Sequence, residues 1–262
     1  MILFQLLIKR FILQDSKEYL DKKAYFEKVI TLYGRNVVIE VLQDSTIEVH
    51  KLHMSNSNKT DGAVKTILSL AKTRNIEVTY HDKNALSRIS KNAKQDQGVC
   101  IDVISNTYQH VSEIKSLDSY KLIALDGIQN PQNLGMIIRS CAAGNLDGII
   151  LPKKSSAKIS PLVIKASAGT LFKLPIYFCN TLNDILPDLG SDTKIYSLSS
   201  HAKNSIYDIK KSKKSIFVLG NESEGVSIEI ESLCNDSISI PMNRGVESLN
   251  VAVTASLIAF MR

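Results

Sequence analysis

The sequence predicts an α/β protein that consists of a small amino-terminal unit and a larger carboxyl-terminal unit with a mostly parallel sheet. Helix-compatible and strand-like segments alternate along nearly the whole chain, which is typical of a sheet covered by helices on both faces. The 262 residues exceed the usual length of one domain. Hydrophobic residues make up 44% and charged residues 22%, an ordinary globular composition that excludes collagen-like, coiled-coil and wholly disordered chains.

The amino-terminal unit is predicted over residues 31–105 as a small α/β domain. Its helices are predicted where apolar residues recur at helical spacing: residues 37–42, residues 64–71 and a short helix around Leu86. Its strands are predicted at three apolar runs: residues 47–52, 76–80 and 99–104. Residues 1–30 are expected to form an amphipathic helical extension. Residues 106–118 are polar without periodicity, which predicts a linker.

The carboxyl-terminal unit is predicted over residues 119–262. Six strand-like runs recur in it: residues 122–125, 148–151, 174–178, 195–198, 216–219 and 238–241. Helix-compatible segments separate most of these runs, around Met136, Val163, Ile185, Ile228 and Val253. In such a parallel sheet, ligands bind beyond the carboxyl ends of the strands. The residues that follow each strand are therefore the candidates for a functional site.

The chain carries 32 Lys and Arg against 26 Asp and Glu, a net charge of +6 that favours an anionic partner such as nucleic acid without identifying one. The excess is shared, because residues 1–118 and residues 119–262 each carry a net charge of +3. The dense charge run consists of Lys210, Lys211, Lys213 and Lys214. A solvated turn is favoured there over an RNA contact.

The four cysteines, at positions 100, 141, 179 and 234, form no Cys-x-x-Cys pair, which excludes a recognisable zinc cluster or disulfide scaffold. A reducing compartment fits this pattern, so we expect a cytoplasmic protein, with an organellar matrix as the alternative. No stretch has the length and continuity of a membrane span, and no membrane partner is expected. His50 and His53 alternate to opposite strand faces, so no metal site is predicted. No histidine lies beside a Ser or Cys nucleophile, which disfavours hydrolase chemistry.

The first candidate segment follows the strand that ends at Leu125. Asn130-Pro131 favours a turn before a helix, so Asn133 falls near the amino end of that helix and Arg139 lies inside it. An amide and a fixed cation beside a helix amino terminus suit a phosphate or a ribose. An Asn cap with a surface arginine explains the spacing about equally well.

Two further candidate segments follow later strands. Residues 220–225, Gly-Asn-Glu-Ser-Glu-Gly, combine a glycine that lets a ligand approach the backbone with carboxylates that could hold hydroxyls. This segment lacks the Lys-Ser or Lys-Thr of a Walker loop. Residues 240–250 lead into an apolar helix over residues 251–261, and Ser248 is predicted as its cap. Capping explains Ser248 but not the whole segment.

Taken in this order, the three segments resemble the signature motifs of the SpoU (TrmH) family of SPOUT RNA 2′-O-methyltransferases. Asn133-x-Gly135-x-x-x-Arg139 is similar to motif one, residues 219–225 to motif two, and residues 240–251 to motif three. Residues 165–169, Lys-Ala-Ser-Ala-Gly, resemble a stretch of the subgroup that methylates a guanosine of large-subunit ribosomal RNA. Residues 33–38 resemble the start of that subgroup's ribosomal-protein-like substrate-binding module. Asp96-Gln97-Gly98 departs from the pattern of that subgroup, which usually has His before Gln-Gly.

The resemblance implies an RNA (guanosine-2′-O-)-methyltransferase that uses S-adenosylmethionine. It also implies a SPOUT domain with a carboxyl-terminal trefoil knot, and a homodimer whose active sites draw on both subunits. Connection rules alone would predict an unknotted sheet. A transfer RNA ribose methyltransferase and a catalytically idle RNA-binding assembly factor are the alternatives.

By the resemblance, five residues border the cofactor: Gly220, Ile240, Leu249, Leu219 and Met242. Five residues are implied in catalysis: Arg139, Asn133, Glu222, Ser248 and Asn250. Because a guanidinium stays protonated, we expect Arg139 to position the target and to stabilise the developing alkoxide, with proton removal by Arg139 as the alternative. Asn133 is expected to orient Arg139 or the ribose, and Glu222 to orient the catalytic loop.

Overall fold

The computed structural model describes residues 25–26, 28–91, 95–105 and 107–261. Most of the expected amino-terminal extension, residues 1–24 and 27, therefore lies outside the described residues. Val29 and Ile30, which the prediction placed in the extension, belong instead to strand β1 (Val29–Tyr33). Ile30 and Leu32 of this strand are buried, and Val29 pairs with Ile104. The strand thus crosses the predicted boundary at residue 31.

Over the described residues from 28 to 105, the amino-terminal unit is a four-stranded sheet with three helices, and its predicted helices and strands are confirmed. After β1, its elements are α1 (Arg35–Gln43), β2 (Glu48–Ser55), α2 (Gly62–Thr73), β3 (Val78–His81), α3 (Lys83–Ser90) and β4 (Val99–Ile104). The strand order is β1-β4-β2-β3, with β4 antiparallel to both neighbours and β3 parallel to β2. Helices α1 and α2 pack together, and Val38, Ile67 and Ile101 are buried in the core of this unit.

The carboxyl-terminal unit is an eight-stranded sheet in the order β10-β12-β9-β11-β6-β7-β8-β5, and each described pair of strands is parallel. Its strands are β5 (Tyr108–His110), β6 (Tyr120–Leu125), β7 (Gly148–Pro152), β8 (Ile176–Cys179), β9 (Lys194–Leu198), β10 (Asn204–Ser205), β11 (Lys214–Leu219) and β12 (Asp236–Ser239). Its α-helices are α4 (Pro131–Ala143), α5 (Pro161–Ser167), α6 (Ile228–Glu231) and α7 (Val251–Phe260). The predicted α/β architecture with a mostly parallel sheet is confirmed.

Two segments of this unit differ from the sequence prediction. The described part of the predicted linker, residues 107–118, contains β5 and a 3₁₀-helix (Val111–Ser116), and its Ile114 is fully buried. A three-residue strand is too short to produce a periodic signal, so the sequence pattern could not reveal it. The helix expected around Ile185 is only a 3₁₀ turn (Leu186–Leu189), which ends at Gly190.

Close helix packing positions the first candidate segment. A Cβ atom on Gly135 of α4 would lie 2.4 Å from the Cβ atom of Ala166 and 2.6 Å from the carbonyl oxygen of Val163, so only glycine lets α4 approach α5 this closely. Helix α7 packs on the same α4. The implied trefoil knot stays a prediction. Within the described residues, none of the helices has the length and apolar character needed to cross a membrane.

Candidate active site

Three loops lie at the edge of the larger sheet where its parallel strands end, which we call the carboxyl edge: residues 126–130 after β6, residues 220–227 after β11 and residues 240–250 after β12. The carboxylate of Asp126 accepts hydrogen bonds from the backbone N–H and the hydroxyl of Ser227, both at 2.8 Å. Asn221 Nδ2 donates to the carbonyl oxygen of Gly127 at 3.0 Å. The first two loops are thus joined by side chains as well as by the sheet.

The second loop is a tight turn that depends on glycine. The backbone N–H groups of Asn221 and Gly225 each donate to the other residue's carbonyl oxygen, at 2.9 and 2.8 Å. A Cβ atom on Gly220 would lie 1.9 Å from the carbonyl carbon of Gly225, so a side chain there would open the turn. Gly225 has a φ of +74°, a conformation that favours glycine. The turn therefore leaves the side chain of Glu222 projecting from a fixed backbone.

Asn133 lies at the centre of the three loops. The amino end of α4 is capped by Asn130, whose side-chain oxygen accepts from the backbone N–H of Gln132 at 2.8 Å. The side chain of Asn133 is therefore not needed for capping, and Asn133 is only 7% exposed. Asn133 Nδ2 donates to Glu222 Oε1, and Asn133 Oδ1 accepts from Asn250 Nδ2 at 3.2 Å. These hydrogen bonds form a network that links the amino end of α4, which follows the first loop, to the second and third loops.

The third loop corrects one prediction. Helix α7 begins at Val251, and its cap is Asn250, whose side-chain oxygen accepts from the backbone N–H of Ala252 at 2.8 Å. The prediction of Ser248 as the cap is therefore wrong: Ser248 precedes the cap position by two residues and is exposed. Asn250 can cap α7 and contact Asn133 at once because its amide carries both an acceptor and donors.

Arg139 does not join this network. It lies six residues beyond Asn133, about 9 Å further along the axis of α4 at the usual rise per residue. Its side chain is exposed on the same stripe of α4 as Met136, and no hydrogen bond or ion pair connects it to another described residue. A single chain thus brings together Asn133, Glu222 and Asn250 but leaves Arg139 on an open surface.

Three residues that tie the loops together received no role from the sequence: Asp126, Asn221 and Ser227. Asp126 directly follows a buried strand and Asn221 follows a glycine, positions where these residue types form turns. That local signal marks a turn. It does not reveal the hydrogen bonds between positions about a hundred residues apart.

A family model described as the SpoU rRNA Methylase family matches residues 120–260, more than half of the chain. The chain belongs to the SpoU family. A second model, described as RNA 2′-O ribose methyltransferase substrate binding, matches residues 31–109 of this SpoU protein.

Curated relatives resemble the SpoU protein over most of its length. An uncharacterized tRNA/rRNA methyltransferase from Mycobacterium avium is 27% identical over 88% of this chain and 76% of its own. One of the same description from Mycobacterium ulcerans is 28% identical over 87% of this chain and 74% of its own. Both relatives therefore span the two units.

Solved structures share the fold. The AdoMet-bound rRNA methyltransferase from Sinorhizobium meliloti has a TM-score of 0.62 at 22% identity, covering 93% of this chain and 88% of its own. The SpoU methyltransferase AviRb from Streptomyces viridochromogenes, in complex with AdoMet, has a TM-score of 0.63 at 21% identity, covering 89% of each chain. The predicted fold class is confirmed, and the family match makes the SpoU protein an RNA methyltransferase.

The residues that the resemblance implies in cofactor binding suit S-adenosylmethionine. Leu219 is the buried last residue of β11, and Gly220 directly follows that strand. Ile240, Met242 and Leu249 place partly buried or exposed apolar groups on the third loop. In the described chain, the backbone of residues 241–249 forms one internal hydrogen bond, from Val246 N to Asn243 O at 3.2 Å. Its other polar groups remain open. Apolar walls with open backbone groups suit the adenosine and thioether parts of S-adenosylmethionine.

A separate polar cluster lies in the smaller sheet of the SpoU protein. His53 Nδ1 contacts His81 Nε2 at 3.0 Å, and His53 Nε2 contacts Asp102 Oδ2 at 3.1 Å. Burial and the neighbouring His53 lower the pKa of His81. Burial would raise the pKa of Asp102, but hydrogen bonds from His53 and Thr31 outweigh it and lower that pKa.

His50 lies elsewhere, with its Nδ1 2.8 Å from the hydroxyl of Tyr25, so the structure does not bring His50 and His53 to one site. Among the residues that the structure describes, no group of three or more His, Cys, Asp or Glu side chains is arranged to hold a metal ion.

Proposed function

We propose that this SpoU methyltransferase methylates a ribose 2′-hydroxyl of RNA, and that its substrate is a guanosine of large-subunit ribosomal RNA. The observation that carries the proposal is the network of Asn133, Glu222 and Asn250, which joins the three motif segments at the carboxyl edge of the sheet. The match of residues 31–109 to a substrate-binding model for ribose 2′-O-methyltransferases supports the ribose as acceptor. Transfer RNA is the alternative, since the relatives are described as tRNA/rRNA methyltransferases.

The residues of this chain serve the reaction by positioning and by charge. The ribose oxygen forms a bond to the methyl carbon as the carbon–sulfur bond breaks, and the hydroxyl proton leaves for solvent. S-adenosylmethionine supplies the electrophilic methyl group when it is bound. The guanidinium of Arg139 holds the acceptor oxygen and stabilises its developing negative charge, because it donates hydrogen bonds and stays protonated. Asn133 and Glu222 hold the three loops in register.

The same proposal requires a homodimer, because Arg139 lies outside the network within one chain. Helix α7 packs on α4 next to Arg139, since the hydroxyl of Ser256 donates to that of Ser140 at 2.7 Å. The outer face of α7 is apolar, and its Phe260 is 58% exposed. A groove of about 380 Å³ runs along this face, lined by Tyr207, Val253, Leu257, Phe260 and Met261 among others. An apolar helix face of this kind marks an interaction surface. A second copy packed there with two-fold symmetry would carry the Arg139 of each subunit towards the loops of the other.

Mixing two inactive variants tests the shared site. Arg139→Ala and Glu222→Ala remove residues that would serve the same site from different subunits. Each variant alone should lose methyl transfer, whereas co-refolded mixtures should recover about a quarter of the wild-type sites, since half of the dimers are mixed and each has one intact site. Phe260→Glu should give monomers in light scattering. Mixtures that stay inactive while dimers form would contradict the shared site.

Methyl transfer to defined RNA tests the reaction itself. Purified protein with tritiated S-adenosylmethionine should label large-subunit ribosomal RNA and not bulk transfer RNA, and nucleotide-resolution mapping should find one 2′-O-methylated guanosine. Arg139→Ala should abolish labelling while calorimetry shows nearly unchanged binding of S-adenosylmethionine. Label on transfer RNA alone would support the alternative substrate, and near-normal turnover of Arg139→Ala would refute the role of Arg139.

A further inference from the structure

A cleft lies between the two units, where the start of α1 faces the start of α5. Its volume is about 360 Å³, within the range of small-ligand pockets. None of its lining residues is acidic, and six of them are Tyr33, Gly34, Arg35, Gln97, Ser160 and Leu162. The cleft is separate from the network of Asn133, Glu222 and Asn250.

Arg35 supplies a cation to this cleft, and neutral oxygens hold it there. Its Nε donates to the carbonyl oxygen of Gln97 at 3.3 Å, and its Nη2 donates to Asn58 Oδ1 at 3.5 Å. Within the described part of the chain, no carboxylate lies within ion-pair distance of its guanidinium. The charge of Arg35 is therefore oriented without being neutralised, as a phosphate-binding arginine requires.

The wall that holds Arg35 is rigid. Gln97 and Gly98 have φ angles of +53° and +76°, and Gln97 Oε1 accepts from the backbone N–H of Arg35 at 3.0 Å. A Cβ atom on Gly98 would lie 2.5 Å from Asn58 Oδ1, so the turn packs directly on that side chain. A non-glycine residue held at positive φ costs free energy that the surrounding interactions must offset. These interactions keep Arg35 in one orientation.

A basic loop continues from the other wall of the cleft. Residues 148–183 contain five lysines and no acidic residue. Three of these lysines, Lys153, Lys154 and Lys158, are exposed in the loop between β7 and α5, and no described carboxylate pairs with them. The loop is fixed to the first motif loop, because Ala157 N donates to the carbonyl oxygen of Ile128 at 2.7 Å. Unpaired positive charge therefore runs from the cleft to the carboxyl edge.

The lysine run of residues 210–214 differs in place and in pairing. It lies at the start of β11, and so at the opposite edge of the sheet from the motif loops, and Lys214 pairs with Asp192 at 2.9 Å. Lys210 and Lys211 are exposed there. They provide a matched control for the removal of surface charge.

We propose that the cleft is a second RNA subsite, in which Arg35 binds a backbone phosphate and the lysines of residues 153–158 carry the strand from there to the methyl-transfer site. The proposal rests on RNA as the substrate, as proposed above. Phosphate contacts set the position of an RNA on the protein, while the base contacts specify sequence. The subsite would therefore fix which nucleotide reaches the carboxyl edge.

Salt dependence of RNA binding tests the basic loop. For filter binding, radiolabelled transcripts of large-subunit ribosomal RNA are titrated with wild type, with Lys154→Gln/Lys158→Gln and with the control Lys210→Gln/Lys211→Gln. The slope of log affinity against log salt should become shallower by about 0.7 to 0.9 for each phosphate that the loop variant no longer binds. The control should keep the wild-type slope. Equal slopes for the loop variant and wild type would overturn the subsite.

Two substitutions test Arg35. Arg35→Gln should weaken RNA binding about tenfold, since glutamine cannot donate a charge-assisted hydrogen bond to phosphate, and Arg35→Lys should restore only part of the affinity because it keeps the charge but not the planar fork. Unfolding curves check that both variants fold, and calorimetry should show unchanged S-adenosylmethionine binding. If wild type binds and methylates RNA and Arg35→Gln does so equally well, the subsite is refuted while the proposed function stands. If wild type binds no RNA, both fail.

Discussion

The hydrogen bond between Asn133 and Glu222 should couple the amino end of α4 to the second loop, although the two residues lie 89 positions apart in sequence. A hydrogen bond to a charged group contributes about 1.5 to 3 kcal/mol, but Glu222 is exposed, so solvent screening reduces the expected coupling to about 1 kcal/mol. Asn133→Ala also removes the acceptor of Asn250, and it should lower the free energy of unfolding by about 2 to 3 kcal/mol. Glu222→Ala should cost about 1 to 2 kcal/mol.

A double-mutant cycle measures this coupling. Wild type, Asn133→Ala, Glu222→Ala and the double variant are unfolded in urea, with unchanged slopes as the check that the variants remain comparable. Glu224→Ala, two residues further along the same exposed turn, is the control and should change stability by less than about 0.5 kcal/mol. Glu222→Gln keeps an acceptor oxygen and should retain most of the stability. Additivity within about 0.3 kcal/mol would refute the idea that this hydrogen bond joins the loops.

Gly135→Ala should lower the free energy of unfolding in urea by about 1 to 3 kcal/mol, despite the helix propensity of alanine. Adding Ala166→Gly should restore part of that stability. A more stable Gly135→Ala variant would contradict the close packing of α4 and α5. Gly220→Ala should lower S-adenosylmethionine affinity in calorimetry at least tenfold, since the turn must open; unchanged affinity would remove this turn from the cofactor site. The lowered pKa of His81 means that, below about pH 6.5, the unfolded chain binds a proton at His81 before the folded protein does. The free energy of unfolding should therefore fall as the pH drops from there to the folded-state pKa. The melting temperature of His81→Gln should fall less over the same range, and an equal fall in both proteins would exclude His81 as a cause.

Local patterns were sufficient for most of the helices and strands and for the edge of the sheet at which the three loops lie. Apolar periodicity predicts α4 and α7, and parallel strands necessarily place the loops that follow β6, β11 and β12 at one edge. The same patterns did not predict strands β1 and β5. Strand β1 begins at Val29, inside the predicted extension of residues 1–30. Strand β5 has three residues. Strand β5 offers too few residues for a strand period.

The caps show where local reasoning reaches its limit. Ser248 and Asn250 are both good capping residues, and only the backbone path of the third loop decides that Asn250 meets the N–H of Ala252. In the same way, Asn130 and Asn133 both precede α4 or begin it, and the cap falls to Asn130. Asn133 is thereby released for Glu222 and Asn250.

The sequence by itself determined the alternation of helices and strands, the three ordered loops and the glycines that the tight turns need, because each of these depends on neighbouring residues. Only the tertiary structure decided that Asn133, Glu222 and Asn250 meet and that Arg139 does not join them within one chain. The physical reason is the large sequence separation between the hydrogen-bonded residues. A hydrogen bond across 89 or 117 residues depends on strand order and on the path of each turn, and neither is encoded in a local pattern.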